Sequence, residues 1–252
     1  SRAGAAAALD RLEAELLGVA APRALIAGYR HMAWRHAMPL GPARTLLRGV
    51  RTDLDQVAIE DDVALLRYCY RVAATVGLML NRVLGVEGAE ADECAVDLGL
   101  AMQLTNIVRD VREDAQQGRV YLPRHRLAAQ GTSPEAMLAG TAPRPAVRAV
   151  ALELLALADA LYSHAASGLG FIPLRARPGI AAAYRLYASI GWRIRREGHH
   201  PLDGRMVVPR LEKSWRLVEA AGLAAWTSLP GRRPARLAPA LQVTRDAACA
   251  GA

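Results

Sequence analysis

Apolar residues recur every three or four positions through most of the chain with polar residues between them, which is the spacing of amphipathic α-helices. No strand alternation competes. The spacing predicts helices over Ala5–Leu17, Arg23–Ala37, Gly41–Gln56, Asp61–Leu84 and Ala89–Ala115. Further helices are predicted over Pro134–Leu138, Ala146–Leu169, Pro178–Arg196 and Pro209–Ala225. Asp61 reads as an N-cap, so the pair Asp61-Asp62 is helix-start chemistry rather than a metal site, and Gly118 reads as a helix stop. The Gly, Ser, Thr and Pro residues of 130–145 mark an excursion between helices. From Pro230 onward Pro, Arg and Ala without periodicity read as a mobile tail, which leaves 1–229 as a single all-α domain without internal repeats.

One of these helices carries candidate chemistry. Leu98 to Met102 has no polar side chain, so the helix is expected to run through the interior. Just beyond it Gln103, Asn106, Asp110 and Asp114 fall within an arc of roughly 80° at 100° per residue. Oxygen donors of this kind suit Mg²⁺, with Mn²⁺ as the alternate, because Mg²⁺ keeps several waters and takes one or two carboxylates together with substrate phosphate oxygens. A diphosphate is the implied partner. The plainer alternative is a solvated helix face. Buried carboxylates would cost several kcal/mol unless they faced a metal or a base, and Arg109, Arg112 and Arg119 are near in sequence.

Composition narrows the picture only a little. Hydrophobic residues make up 52% of the chain and aromatics 5%, so Ala, Leu and Val do the packing, as in a helical core. The net charge of +8 suits a polyanionic ligand, nucleic acid or an anionic membrane surface. Nothing beyond charge favours nucleic acid, and none is expected as a partner. Cys69, Cys94 and Cys249 show no CxxC spacing and there is no secretory signal, which points to a reducing, cytoplasmic setting. No segment reads as long and uncharged enough to span a bilayer, so any membrane association would be peripheral. The pattern sets no oligomeric state.

Two stretches carry a family resemblance. Tyr68–Met79, YCYRVAATVGLM, resembles the YCYxVAGxVGxM signature of the squalene and phytoene synthase family. The run Leu98–Asp110, continuing through Glu113-Asp114 to Gly118–Pro123, resembles that family's second aspartate-rich motif. Weaker similarity extends from about Gly49 to Lys213. The resemblance implies an isoprenoid synthase-type helical bundle around a central apolar cavity. It also implies a prenyl transferase of the bacterial phytoene synthase kind, which joins two geranylgeranyl diphosphates head to head through a cyclopropyl diphosphate and releases two diphosphates. Squalene, hydroxysqualene or dehydrosqualene synthesis from farnesyl diphosphate is the alternative, and a non-catalytic assembly-type relative is another.

Carried over by the same resemblance, Asp110 and Asp114 are metal ligands, and Gln103 and Asn106 bind substrate beside them. Arg109 holds diphosphate, and Tyr68 is a cavity tyrosine. Tyr187, Arg205 and Lys213 close over the diphosphates. Asp53 matches an acidic position whose role the sequence does not define. Gly77, Ala73 and Ala74 let helices approach or make room for a prenyl chain, Ala74 standing where the family usually has Gly. The family's first aspartate-rich motif would lie ahead of the helix starting near Ala5, and Asp10, Glu13 and Glu15 lack its form. The expectation is a segment lost upstream rather than a natural truncation, with weak diphosphate binding and poor turnover by this stretch alone.

Overall fold

The computed structural model describes residues 2–196, 198–204, 209, 215, 219–220, 222–223 and 236–252, and holds no strand among them. The first three helices are α1 (Arg2–Leu17), α2 (Ala24–Arg35) and α3 (Gly41–Thr52). Next come α4 (Asp62–Cys69), α5 (Thr75–Leu84), α6 (Ala89–Arg109) and α7 (Val111–Gln116). The short α8 (Arg124–Ala129) and α9 (Pro134–Leu138) lead into the long α10 (Arg144–Ser167) and α11 (Arg177–Arg196), and α12 (Pro239–Ala250) ends the chain.

α6 is the axis of the bundle. It is buried on several faces, packs along the length of α10, and is flanked by α4, α5 and α11. Leu66, Leu100, Leu104, Leu154 and Leu161 are all fully buried in the main core. Asp61 caps α4 as expected, its carboxylate accepting from the Ala64 N–H at 2.8 Å. Asp62 instead accepts two hydrogen bonds from Arg126 of α8. Gly118, at φ +77, stops the chain after α7.

The predicted helix Asp61–Leu84 is one run with a defect. Tyr70–Ala74 forms a π-helical turn in which the Thr75 N–H reaches back to the Tyr70 carbonyl. Widening the turn in this way withdraws the usual partner from the Arg71 carbonyl, and the Thr75 hydroxyl donates to it at 2.9 Å. α6 crosses here in direct backbone contact. A Cβ on Gly99 would stand 2.5 Å from the Ala74 Cα, and one on Gly77 would stand 2.7 Å from the Ala95 carbonyl oxygen. Two glycines and two alanines therefore set how near the helices come.

Three expectations need correction, and one falls outside the described residues. The helix expected over Ala89–Ala115 breaks at Asp110 (φ −103, ψ 13), where its carboxylate binds the neighbouring Arg109 side chain. The Asp114 N–H still bonds the Asp110 carbonyl at 2.9 Å, which starts α7 directly after the break. The tail expected beyond Pro230 contains α12, which packs on α4; its Arg245 reaches Asp97 in the core. By length and composition the run Asp62–Leu84 could cross a bilayer, although it carries the core leucines Leu65 and Leu66 and one wall of a cavity. Sliding-window reading missed it because Arg67, Arg71 and Arg82 interrupt it. Arg205, Lys213 and most of the predicted helix Pro209–Ala225 lie outside the described residues.

Candidate active site

The junction of α6 and α7 gathers the polar groups. Arg109 donates to both carboxylate oxygens of Asp110, at 2.7 and 2.5 Å, and Tyr187 of α11 faces the same guanidinium. One turn before, Asn106 and Gln103 lie side by side with their amides 3.5 Å apart, and the Asn106 Oδ1 is buried without a hydrogen-bond partner. One turn beyond, Asp114 is half-buried. Burial and the Asp110 charge, with Asp53 and Glu113 adding, push its carboxyl up to about 6 against the opposing Arg119. Arg112 turns away and donates to the Asp203 carbonyl.

Asp53, at the end of α3, stands opposite. Its carboxylate accepts from Tyr121 at 2.8 Å and Tyr68 at 3.2 Å, and the two tyrosine rings stack with centroids 4.8 Å apart. Burial, aided by the Tyr68–Tyr121–Asp53 contacts, drives the Tyr68 phenol far above its ordinary range. Burial also carries Tyr121 up to about 12. Both hydroxyls are therefore fixed as protonated donors at neutral pH. Tyr121 lies in Gly118–Pro123, part of the stretch that resembles the family's second aspartate-rich motif, yet its bond to Asp53 is visible only in the fold.

An apolar cavity of about 330 Å³ runs along α6 from this polar patch. Val76 and Leu80 of α5, Leu98 and Met102 of α6, and Leu169 and Ile180 line it; Gln103 and Asn106 form its polar end. The cavity does not itself include Asp110 or Asp114, which follow four and eight residues after Asn106, at the break after α6 and in α7.

The structure thus brings together Tyr68 with Asp53 and Tyr121, Arg109 with Asp110 and Tyr187, and Gln103 with Asn106. Among the described residues, no three His, Cys, Asp or Glu side chains converge as a ready metal cluster. Two carboxylates one helical turn apart, beside an unpartnered buried amide oxygen, suit Mg²⁺ shared with a diphosphate rather than a closed protein cage.

A helical bundle with an apolar cavity on the helix that also carries an amide pair, an arginine and, just past its end, carboxylates is an arrangement suited to releasing diphosphate from greasy substrates. Family comparison sharpens this. The model of the squalene/phytoene synthase family matches residues 1–212, and the chain belongs to that family. It is 38% identical over 208 residues to the 15-cis-phytoene synthase of Enterobacter agglomerans, covering 82% of this chain and 70% of that protein. It is 40% identical over 162 residues to the phytoene synthase of Rhodobacter capsulatus, covering 64% of this chain and 48% of that protein. The chain therefore spans between about half and 70% of these relatives. Among solved structures, a dehydrosqualene synthase in complex with ligand superposes with a TM-score of 0.77 at 29% identity, covering 87% of this chain and 79% of that one.

Proposed function

We propose that the protein joins two geranylgeranyl diphosphates head to head into phytoene through a cyclopropyl diphosphate, releasing two diphosphates. The observation that carries this reading is an apolar cavity whose polar end, Gln103 and Asn106, lies on the same helix as Arg109, with Asp110 and Asp114 following directly past the break that ends it.

Asp110, Asp114 and the Asn106 amide oxygen would hold Mg²⁺, which neutralises charge on the departing diphosphate when bound. Arg109 supplies a second positive charge and moves from Asp110 to the diphosphate. Tyr187, facing the same guanidinium, steadies it. Tyr68 and Tyr121, kept protonated by burial and by Asp53, do not line the apolar cavity; they hold Asp53 with neutral hydroxyls and add no anionic nucleophile that could trap a carbocation. The apolar walls exclude water from the cation for the same reason. Arg205 and Lys213 belong to the proposal as groups that close over diphosphate.

The test is product identity. The full-length protein with Mg²⁺ and geranylgeranyl diphosphate should give a forty-carbon hydrocarbon. A thirty-carbon product from farnesyl diphosphate, with no turnover of the longer substrate, favours the second reading, to which the similarity with a dehydrosqualene synthase lends support. Tight association with an isoprenoid-carrying membrane, tested by vesicle flotation, is part of the same proposal only as a peripheral contact.

A further inference from the structure

The end of the apolar cavity farthest from Gln103 and Asn106 is held rigidly. α5 ends at Gly85 in the left-handed conformation (φ 73), and the Val86 N–H bonds back to the Asn81 carbonyl at 2.8 Å. The Asn81 side chain is almost fully buried and donates to the Ala91 carbonyl at 3.2 Å and to the Asp92 carboxylate at 3.0 Å. Arg82 donates to the Val86 carbonyl at 2.7 Å and pairs with Asp92. These bonds tie the end of α5 to the first turn of α6. On this base Val86, Ala91 and Ile172 pack as a small buried cluster against Leu84 and Ile180, and all five line the cavity. Ala91 is the smallest of them.

The dimensions discriminate between substrates. Ala91 and Asn106 stand fifteen residues apart on α6, about 22 Å at the helical rise. With C–C bonds of roughly 1.5 Å, an extended isoprene unit advances about 5 Å, so four units need about 20 Å and three about 15 Å. We propose that Ala91 gauges prenyl chain length: its methyl group leaves the floor low enough to seat a fourth isoprene unit against Val86 and Ile172. This rests on the prenyl synthase reading above. Because the Ala91 backbone is pinned by Asn81, a larger side chain at 91 must rise into the cavity instead of moving the helix aside.

The experiment compares the wild-type full-length protein with Ala91→Leu, offering geranylgeranyl and farnesyl diphosphates in competition with Mg²⁺ present. The ratio of kcat/KM for the twenty-carbon over the fifteen-carbon substrate should fall at least tenfold, with farnesyl turnover kept within about threefold. An unchanged ratio, or equal losses on both substrates, overturns the proposal. Val86→Ala, which lowers the floor, is the converse variant and should raise relative use of a twenty-five-carbon diphosphate at least fivefold; no gain counts against the gauge. Calorimetric Kd values for the corresponding prenyl thiodiphosphates should move in the same directions. If the wild type turns over neither substrate, the synthase reading fails, and the ratios of these Kd values still decide the role of Ala91.

Discussion

Asp114→Asn should make the metal-free protein more stable while removing its activity. The substitution replaces one carboxylate oxygen by an amide of nearly the same size, so packing changes little. In the folded chain burial, and then the charge of Asp110, raise the Asp114 carboxyl from 3.8 to about 6. A shift of that size corresponds to about 3 kcal/mol, and water screening of this half-exposed group reduces it to about 1–2 kcal/mol. The folded state binds this proton more tightly than the unfolded one. Its favourable contribution is therefore complete below the unfolded pKa near 4, and it is lost as pH rises through about 6. At pH 8 the whole penalty is present, and Asn removes it. At about 2–4 °C per kcal/mol for a chain of this size, the melting temperature should rise by about 2–8 °C at pH 8. The gain should shrink by about half at pH 5. Thermal unfolding in chelator at both pH values, paired with a diphosphate-release assay in Mg²⁺, measures both sides. A melting temperature at pH 8 that is unchanged or lower, or near-normal turnover, would refute the electrostatic reasoning.

Arg245→Met should cost about 3 kcal/mol, because fully buried Asp97 keeps only His164, at 2.6 Å, once the 3.1 Å contact to Arg245 is gone. Chemical denaturation should show this, and Asp97→Asn added to Arg245→Met should recover part of the loss; an unshifted midpoint in the single variant would count against a stabilising clamp. Gly99→Ala should destabilise by about 1–3 kcal/mol, since the new methyl carbon must push α6 away from the Ala74 backbone. Urea unfolding measures that, and wild-type stability would mean the crossing has slack.

The all-helical fold was readable because apolar periodicity reports which face of each helix is buried, and the burial of α6 followed from the unbroken apolar stretch 98–102. The alignment of Gln103, Asn106, Asp110 and Asp114 was also readable, apart from the break at Asp110, because neighbours three and four apart share a helix face whatever the tertiary fold. What joins distant segments was not. Asp53 and Tyr121 are 68 residues apart, and only the packing of α3 beside the 118–123 segment makes one the acceptor of the other. The C-terminal helix was missed because the Pro- and Arg-rich stretch before it hid its start, although its own Ala-rich sequence with Pro at the first turn favours a helix; its anchor is the pairing of Arg245 with a carboxylate 148 residues earlier. Burial pushes the Asp97 carboxyl up despite Arg245 and His164 beside it, which shows how little water reaches that contact.

The π-helical turn at Tyr70–Ala74 amounts to one amino acid more than an ordinary helix would need between Tyr68 and Val76. That surplus phases the two halves of a long rod independently, so one end aims a phenol at Asp53 while the other lays aliphatic groups along the hollow. Excising a single codon here should leave a smooth, regular rod with both ends still facing their targets. Adding one anywhere else in the rod would rotate either the phenol or the hollow's wall out of place. Length variation among natural relatives should accordingly be tolerated at this bulge and almost nowhere else between α4 and α5.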